Sequence, residues 1–173
     1  MRKVIFASVI ALAALSACVK APTYPFYPVI TYKSVSSDHI GPGQADTITI
    51  SFTDGDGDIA VTNTSDSNYD FCGLQHNDSS FLHAQSFNIF AIDSRSSCAQ
   101  QFASPNLTPS GKYKDISGEM EILLTTTSYT CFDCSSTCYN NVDSVRYTIY
   151  VRDQAGHLSN PVTTPPIYIS CSY

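Results

Sequence analysis

From residue 29 onward, apolar and polar residues alternate in short runs. Ile48, Ile50 and Phe52 are interleaved with Thr47, Thr49 and Ser51, and Phe87, Ile89 and Ala91 with Ser86, Asn88 and Phe90. Met120, Ile122 and Leu124 alternate with Glu119 and Glu121, and Val145, Tyr147, Ile149 and Val151 with Arg146, Thr148 and Arg152. Ile167, Ile169 and Cys171 fall on one phase of a last run, and Val29–Val35 reads as a first strand. A period of two places alternate side chains on opposite faces of a strand, so each run buries one face and wets the other. Gly, Asp, Asn, Ser and Pro separate the runs, as turns require. No amphipathic helix follows the first 17 residues.

Six or seven strands without helical crossovers cannot build a parallel sheet, and a two-sheet antiparallel sandwich is the natural packing. Asp153-Gln154-Ala155-Gly156-His157 is placed to turn the Ser144–Arg152 strand into the next. The final pair of strands resembles the last hairpin of an immunoglobulin-like domain. The expectation is therefore an all-β, antiparallel, immunoglobulin-like β-sandwich of about seven strands. The chain has no Trp, so the Cys–Trp–Cys core of antibody domains is absent.

Composition changes this picture little, but charge narrows the partners. Net charge is −6, with nine Lys and Arg against 15 Asp and Glu. Phosphate binding needs clustered cations, so a nucleic-acid partner is excluded as an expectation. The acidic balance suits divalent cations.

The first residues supply a location. Met1-Arg2-Lys3 precedes an apolar run from Val4 to Leu15. Cations before a short apolar core form the layout of a secretory signal, and a spanning helix needs about 20 apolar residues. The run ends in Leu15-Ser16-Ala17-Cys18, which resembles a lipobox. That resemblance implies cleavage before Cys18 and a lipid on its sulfur. Three prolines among the ten residues that follow Cys18 favour an extended tether. The expected organisation is a signal peptide over 1–17, a lipidated Cys18 and Pro-rich tether over 18–28, and one domain over 29–173. The expected location is the bacterial outer membrane. The acidic run that resembles a surface-export tag is missing at Val19-Lys20, which favours the periplasmic face and leaves the surface open.

The sharpest chemical signal is Asp54-Gly55-Asp56-Gly57-Asp58, directly after the strand Thr47–Thr53. Three carboxylates at alternate positions repel one another unless a cation sits among them, and the glycines let the backbone curl. Ca²⁺ takes about six to eight hard oxygens. An EF-hand register fails, because it puts Phe52 at the first ligand position and Asn63 at the position of the bidentate Glu. A site at the end of a sandwich needs other loops, and Asp153 is the first candidate to join Asp54, Asp56 and Asp58, ahead of Asp66 and Asp70. The alternative is a solvated Asp-Gly turn with no metal.

The stretch Ile50-Ser51-Phe52-Thr53-Asp54-Gly55-Asp56-Gly57-Asp58-Ile59 resembles a segment of small Bacteroidetes lipoproteins, a largely uncharacterised family. Leu107-Thr108-Pro109, Ile116-Ser117-Gly118-Glu119 and the Tyr147–Asn160 segment are similar to that family too. The resemblance implies a sandwich-like fold. Ala60 stands where the family usually has Gly, and His157 where it usually has Asn.

Besides Cys18 there are six cysteines: Cys72, Cys98, Cys131, Cys134, Cys138 and Cys171. An even number in an exported chain reads as disulfides, with about 15 pairings open. Zinc fits poorly, since His157 is the only His beyond the Cys131–Cys138 cluster. No enzyme motif appears: no H-E-x-x-H, G-x-S-x-G, Walker loop or dinucleotide fingerprint. Glu119 and Glu121 share a strand face, which is usual for exposed carboxylates. Asp46-Thr47-Ile48 and Asp143-Ser144-Val145 resemble the O-glycosylation triplet of that bacterial group. The leading expectation is a non-enzymatic, calcium-stabilised module that is tethered to the membrane and binds a protein or glycan partner. An accessory subunit of an envelope complex and a glycan-active hydrolase remain as alternatives.

Overall fold

The computed structural model describes residues 23–41, 44–61, 86–111, 114–124 and 142–171. The expected signal peptide over 1–17, Cys18, Asp66, Asp70, Cys72 and the cluster Cys131, Cys134 and Cys138 lie outside the described residues.

The described residues contain ten strands and no helix. They are β1 (Val29–Val35), β2 (His39–Ile40), β3 (Asp46–Asp54), β4 (Ile89–Asp93) and β5 (Ala99–Phe102), followed by β6 (Ile116–Leu124), β7 (Val142–Val145), β8 (Tyr147–Val151), β9 (Val162–Thr163) and β10 (Ile167–Ser170). The all-β expectation holds. The count rises from about seven to ten for two reasons. β2 and β9 are two-residue strands, too short to show a period. The run over 144–152 is two strands rather than one. β7 pairs with β10, whereas β8 pairs with β4, so the chain changes ladders at Arg146. There Arg146 N donates to Ser94 Oγ at 3.0 Å and its guanidinium donates to Thr164 O at 3.4 Å.

Three sheets form, in the orders β1-β3-β6, β2-β10-β7 and β5-β4-β8-β9. All pairs are antiparallel except β2 with β10. The longest ladder is β3 on β6, in unbroken register from Asp46↔Leu124 to Asp54↔Ile116. Its alternation is that of the sequence: Ile48, Ile50 and Phe52 point inward between half-exposed Thr and Ser. The inward residues of the three sheets form one cluster that includes Ile30, Ile48, Ile50, Ile122, Leu124 and Ile149. Ile167, Ile169 and Cys171 are buried and Tyr168 and Ser170 exposed, as their spacing predicts.

β4 departs from the expected alternation. It begins at Ile89, not near Phe87, and Ile89, Phe90 and Ala91 are all buried. β4 is central in its sheet, and its second face is covered too. Phe90 packs with Tyr150, Ile92 and Leu158 in a small second cluster, and the Arg152 guanidinium lies 5.8 Å from its ring centroid.

Candidate metal centre

Asp46 and Asp54 end β3 on the same phase as its apolar residues, so period two drives both carboxylates inward. Asp46 is 1% exposed and Asp54 is fully buried. Their surroundings differ. Asp46 Oδ1 accepts hydrogen bonds from Ser36 Oγ, from Ser37 N at 3.1 Å and from Thr47 N at 2.7 Å. Asp54 Oδ2 accepts one from Asp58 N at 3.0 Å, which curls the loop back onto the strand end. Asp54 Oδ1 is buried and accepts none.

Asp56 Oδ1 and Asp58 Oδ1 are likewise buried without a donor. One ligand oxygen from each of Asp54, Asp56 and Asp58 lies within 4.8 Å of the others. Three carboxylates thus converge, and each has a buried oxygen that no group donates to. A buried carboxylate oxygen without a donor is costly, and like charges nearby add to the cost. The result is visible in acidity. Burial first, then the charges of Asp56, Asp58 and Asp153, push the Asp54 carboxyl up to about 6. Burial, Asp153 and Asp56 push Asp58 up to about 6 as well.

The loop is held from three sides. Gly55 N donates to Pro25 O at 2.7 Å, so the N-terminal segment lies across it. A Cβ on Gly55 would fall 2.4 Å from Tyr24 O and 2.6 Å from Pro25 O. Gly57 has φ +66°, and a Cβ there would fall 1.9 Å from Lys114 O. Both positions therefore require glycine. On the third side Gln154 N donates to Asp58 O at 3.1 Å, which brings the 153–157 turn against the loop. Ile59 and Ala60, both buried, fasten the loop's far end to the core.

Asp153 is 2% exposed, and its charge reaches the cluster. Its oxygens are turned to its own turn: Oδ1 accepts from His157 N at 2.7 Å, and Oδ2 meets His157 Nδ1 at 2.8 Å. That contact raises the His157 pKa. Asp153 thus shapes the turn, and three carboxylates, not four, converge among the described residues.

The remaining candidates are dispersed. Glu119 and Glu121 lie on the exposed phase of β6, and Glu119 sits 3.4 Å from Lys33 Nζ. Cys98 immediately precedes β5, and Cys171 is buried just after β10. Asp143, part of a triplet read for glycosylation, faces Arg95 Nη1 at 2.7 Å. Arg95 also meets Asp93 at 2.6 Å, and all three side chains are at most 15% exposed. Sequence reasoning missed this buried ion group, since Asp93 and Arg95 lie about 50 residues from Asp143 and carry no local motif. It also missed the carbonyls of Tyr24, Pro25 and Lys114 as walls of the acidic loop. The crowded glycines were the available signal. No known protein family, curated protein or solved structure matches the chain.

Proposed function

We propose that this chain is an exported outer-membrane lipoprotein, acylated at Cys18, whose all-β domain is a non-enzymatic binding module stabilised by Ca²⁺. Asp54, Asp56 and Asp58 hold the ion. The observation that carries the reading is the convergence of three carboxylates, each with a buried oxygen that lacks a donor. A cation supplies positive charge directly among them, which His157 reaches only from the neighbouring turn while its ring is held by Asp153. Calcium suits this donor set better than magnesium, because it accepts irregular shells of hard oxygens while magnesium demands near-octahedral geometry. The bound ion would stiffen the loop after β3, to which the chain entry and the 153–157 turn are hydrogen-bonded through Pro25 and Gln154.

The domain is read as an immunoglobulin-like sandwich stapled by disulfides. One shared core beneath antiparallel ladders supports the sandwich. The bonded form of Cys98 and Cys171 supports the staples. The anchor rests on the sequence around Cys18, and the partner is a protein or glycan of the envelope.

Thermal melts of the mature domain in calcium, magnesium and chelator test the metal. A ligand that binds only the folded state adds about 2.7 kcal/mol at a hundredfold excess over Kd. Melting should rise with millimolar calcium, rise less with magnesium and fall with chelator. Equal melting in calcium and chelator would leave the loop as a metal-free turn and remove the ion from the proposal.

A further inference from the structure

The segment that enters the domain carries two adjacent exposed aromatic side chains. Phe26 is 72% exposed and Tyr27 51%. The backbone that carries them is held on both sides. On one side Pro25 O accepts the Gly55 N–H. On the other Pro28 is buried and Val29 opens β1 opposite Thr53. The pair therefore stands at the acidic-loop end of the β1-β3-β6 sheet. Leu123, 56% exposed, stands at the opposite end, opposite Thr47.

Only seven residues separate Cys18 from Phe26. Fully extended, such a stretch spans at most about 29 Å, and less in any relaxed state. Residues 21–32 contain no charged side chain. The Tyr27 ring, with its polar hydroxyl edge, favours the boundary between hydrocarbon and water, and the wholly apolar Phe26 ring gains by burial just beneath it. A lipid on Cys18 would keep these rings within reach of that boundary.

We infer that Phe26 and Tyr27 seat in the interfacial layer of the bilayer that holds Cys18, so that the acidic-loop end of the domain faces the membrane. This rests on the lipoprotein reading above. The acyl chains supply the attachment, and the two rings set the orientation. The opposite end, with Leu123, then points away from the lipid.

The chain has no Trp, so a single introduced Trp reports its own surroundings. The full mature lipoprotein, reconstituted in phosphatidylethanolamine–phosphatidylglycerol vesicles, would carry either Phe26→Trp or Leu123→Trp. Both positions are exposed, so neither change disturbs the core. Trp at 26 should emit at shorter wavelength and be quenched by lipids brominated near the headgroup. Trp at 123 should be quenched by aqueous iodide alone. If Cys18 is acylated by intact mass and both reporters behave as water-exposed, the seating is refuted while the lipoprotein reading stands. If Cys18 carries no lipid, both fall together.

Discussion

Asp54→Asn separates a metal centre from a merely acidic turn, because it predicts opposite signs with and without calcium. In the metal-free wild type, Asp54 is fully buried, with one oxygen bonded to Asp58 N and one without a donor. Its carboxyl is raised to about 6. Relative to an ordinary Asp near 3.9, that rise corresponds to at most about 3 kcal/mol of destabilisation at neutral pH. The three carboxylates share this cost, so relief from one substitution should be smaller, roughly 1–2 kcal/mol. Asparagine keeps an oxygen for the Asp58 N–H and turns an amide donor toward the oxygens of Asp56 and Asp58. In chelator, the variant should melt above wild type by about 2–8 °C for a domain of this size. In calcium the order should reverse, because wild type gains the ion and the variant gains little. Differential scanning calorimetry in both buffers measures this directly. A variant that melts below wild type in chelator, or that keeps the full calcium response, would refute the reasoning.

Three further outcomes are expected. In chelator, wild-type stability should fall as pH rises from about 4 to about 6, because the folded state holds protons on Asp54 and Asp58 that the unfolded state releases near 3.9; saturating calcium should flatten this slope in urea titrations across that range. Gly57→Ala must accept φ +66° and a Cβ 1.9 Å from Lys114 O, so it should cost about 1–3 kcal/mol in denaturant unfolding and weaken calcium binding by calorimetry. Arg95→Ala removes the buried cation that both Asp93 and Asp143 contact, and should cost about 3–5 kcal/mol, whereas Lys33→Ala, which breaks the exposed pair with Glu119, should cost under about 1 kcal/mol.

Much of the fold is legible in the chain because strand burial is a local property. The Thr47–Thr53 alternation predicts β3 within a residue at each end, and the phases of Met120–Leu124 and Ile167–Cys171 match their burial. Legibility fails where a neighbouring element changes what a residue faces. Phe90 reads as a solvent-side residue from its spacing, yet it is buried because a second small cluster covers that face. The run through Arg146 reads as one strand, since alternation continues across a residue at which the chain changes ladders.

The sequence alone determined the strand phases of β3, β6 and β10 and the concentration of carboxylates at Asp54, Asp56 and Asp58. These depend on residues within a few positions of one another. Only the tertiary structure decided that the Oδ1 atoms of those carboxylates are buried without donors while Asp46 Oδ1, on the same strand phase, accepts three hydrogen bonds. It alone placed Asp153 beside the loop and gave its oxygens to His157. Whether a carboxylate finds a donor depends on what lies across the fold, here Pro25, Lys114 and Gln154 around one acidic loop, and no spacing along the chain encodes that encounter.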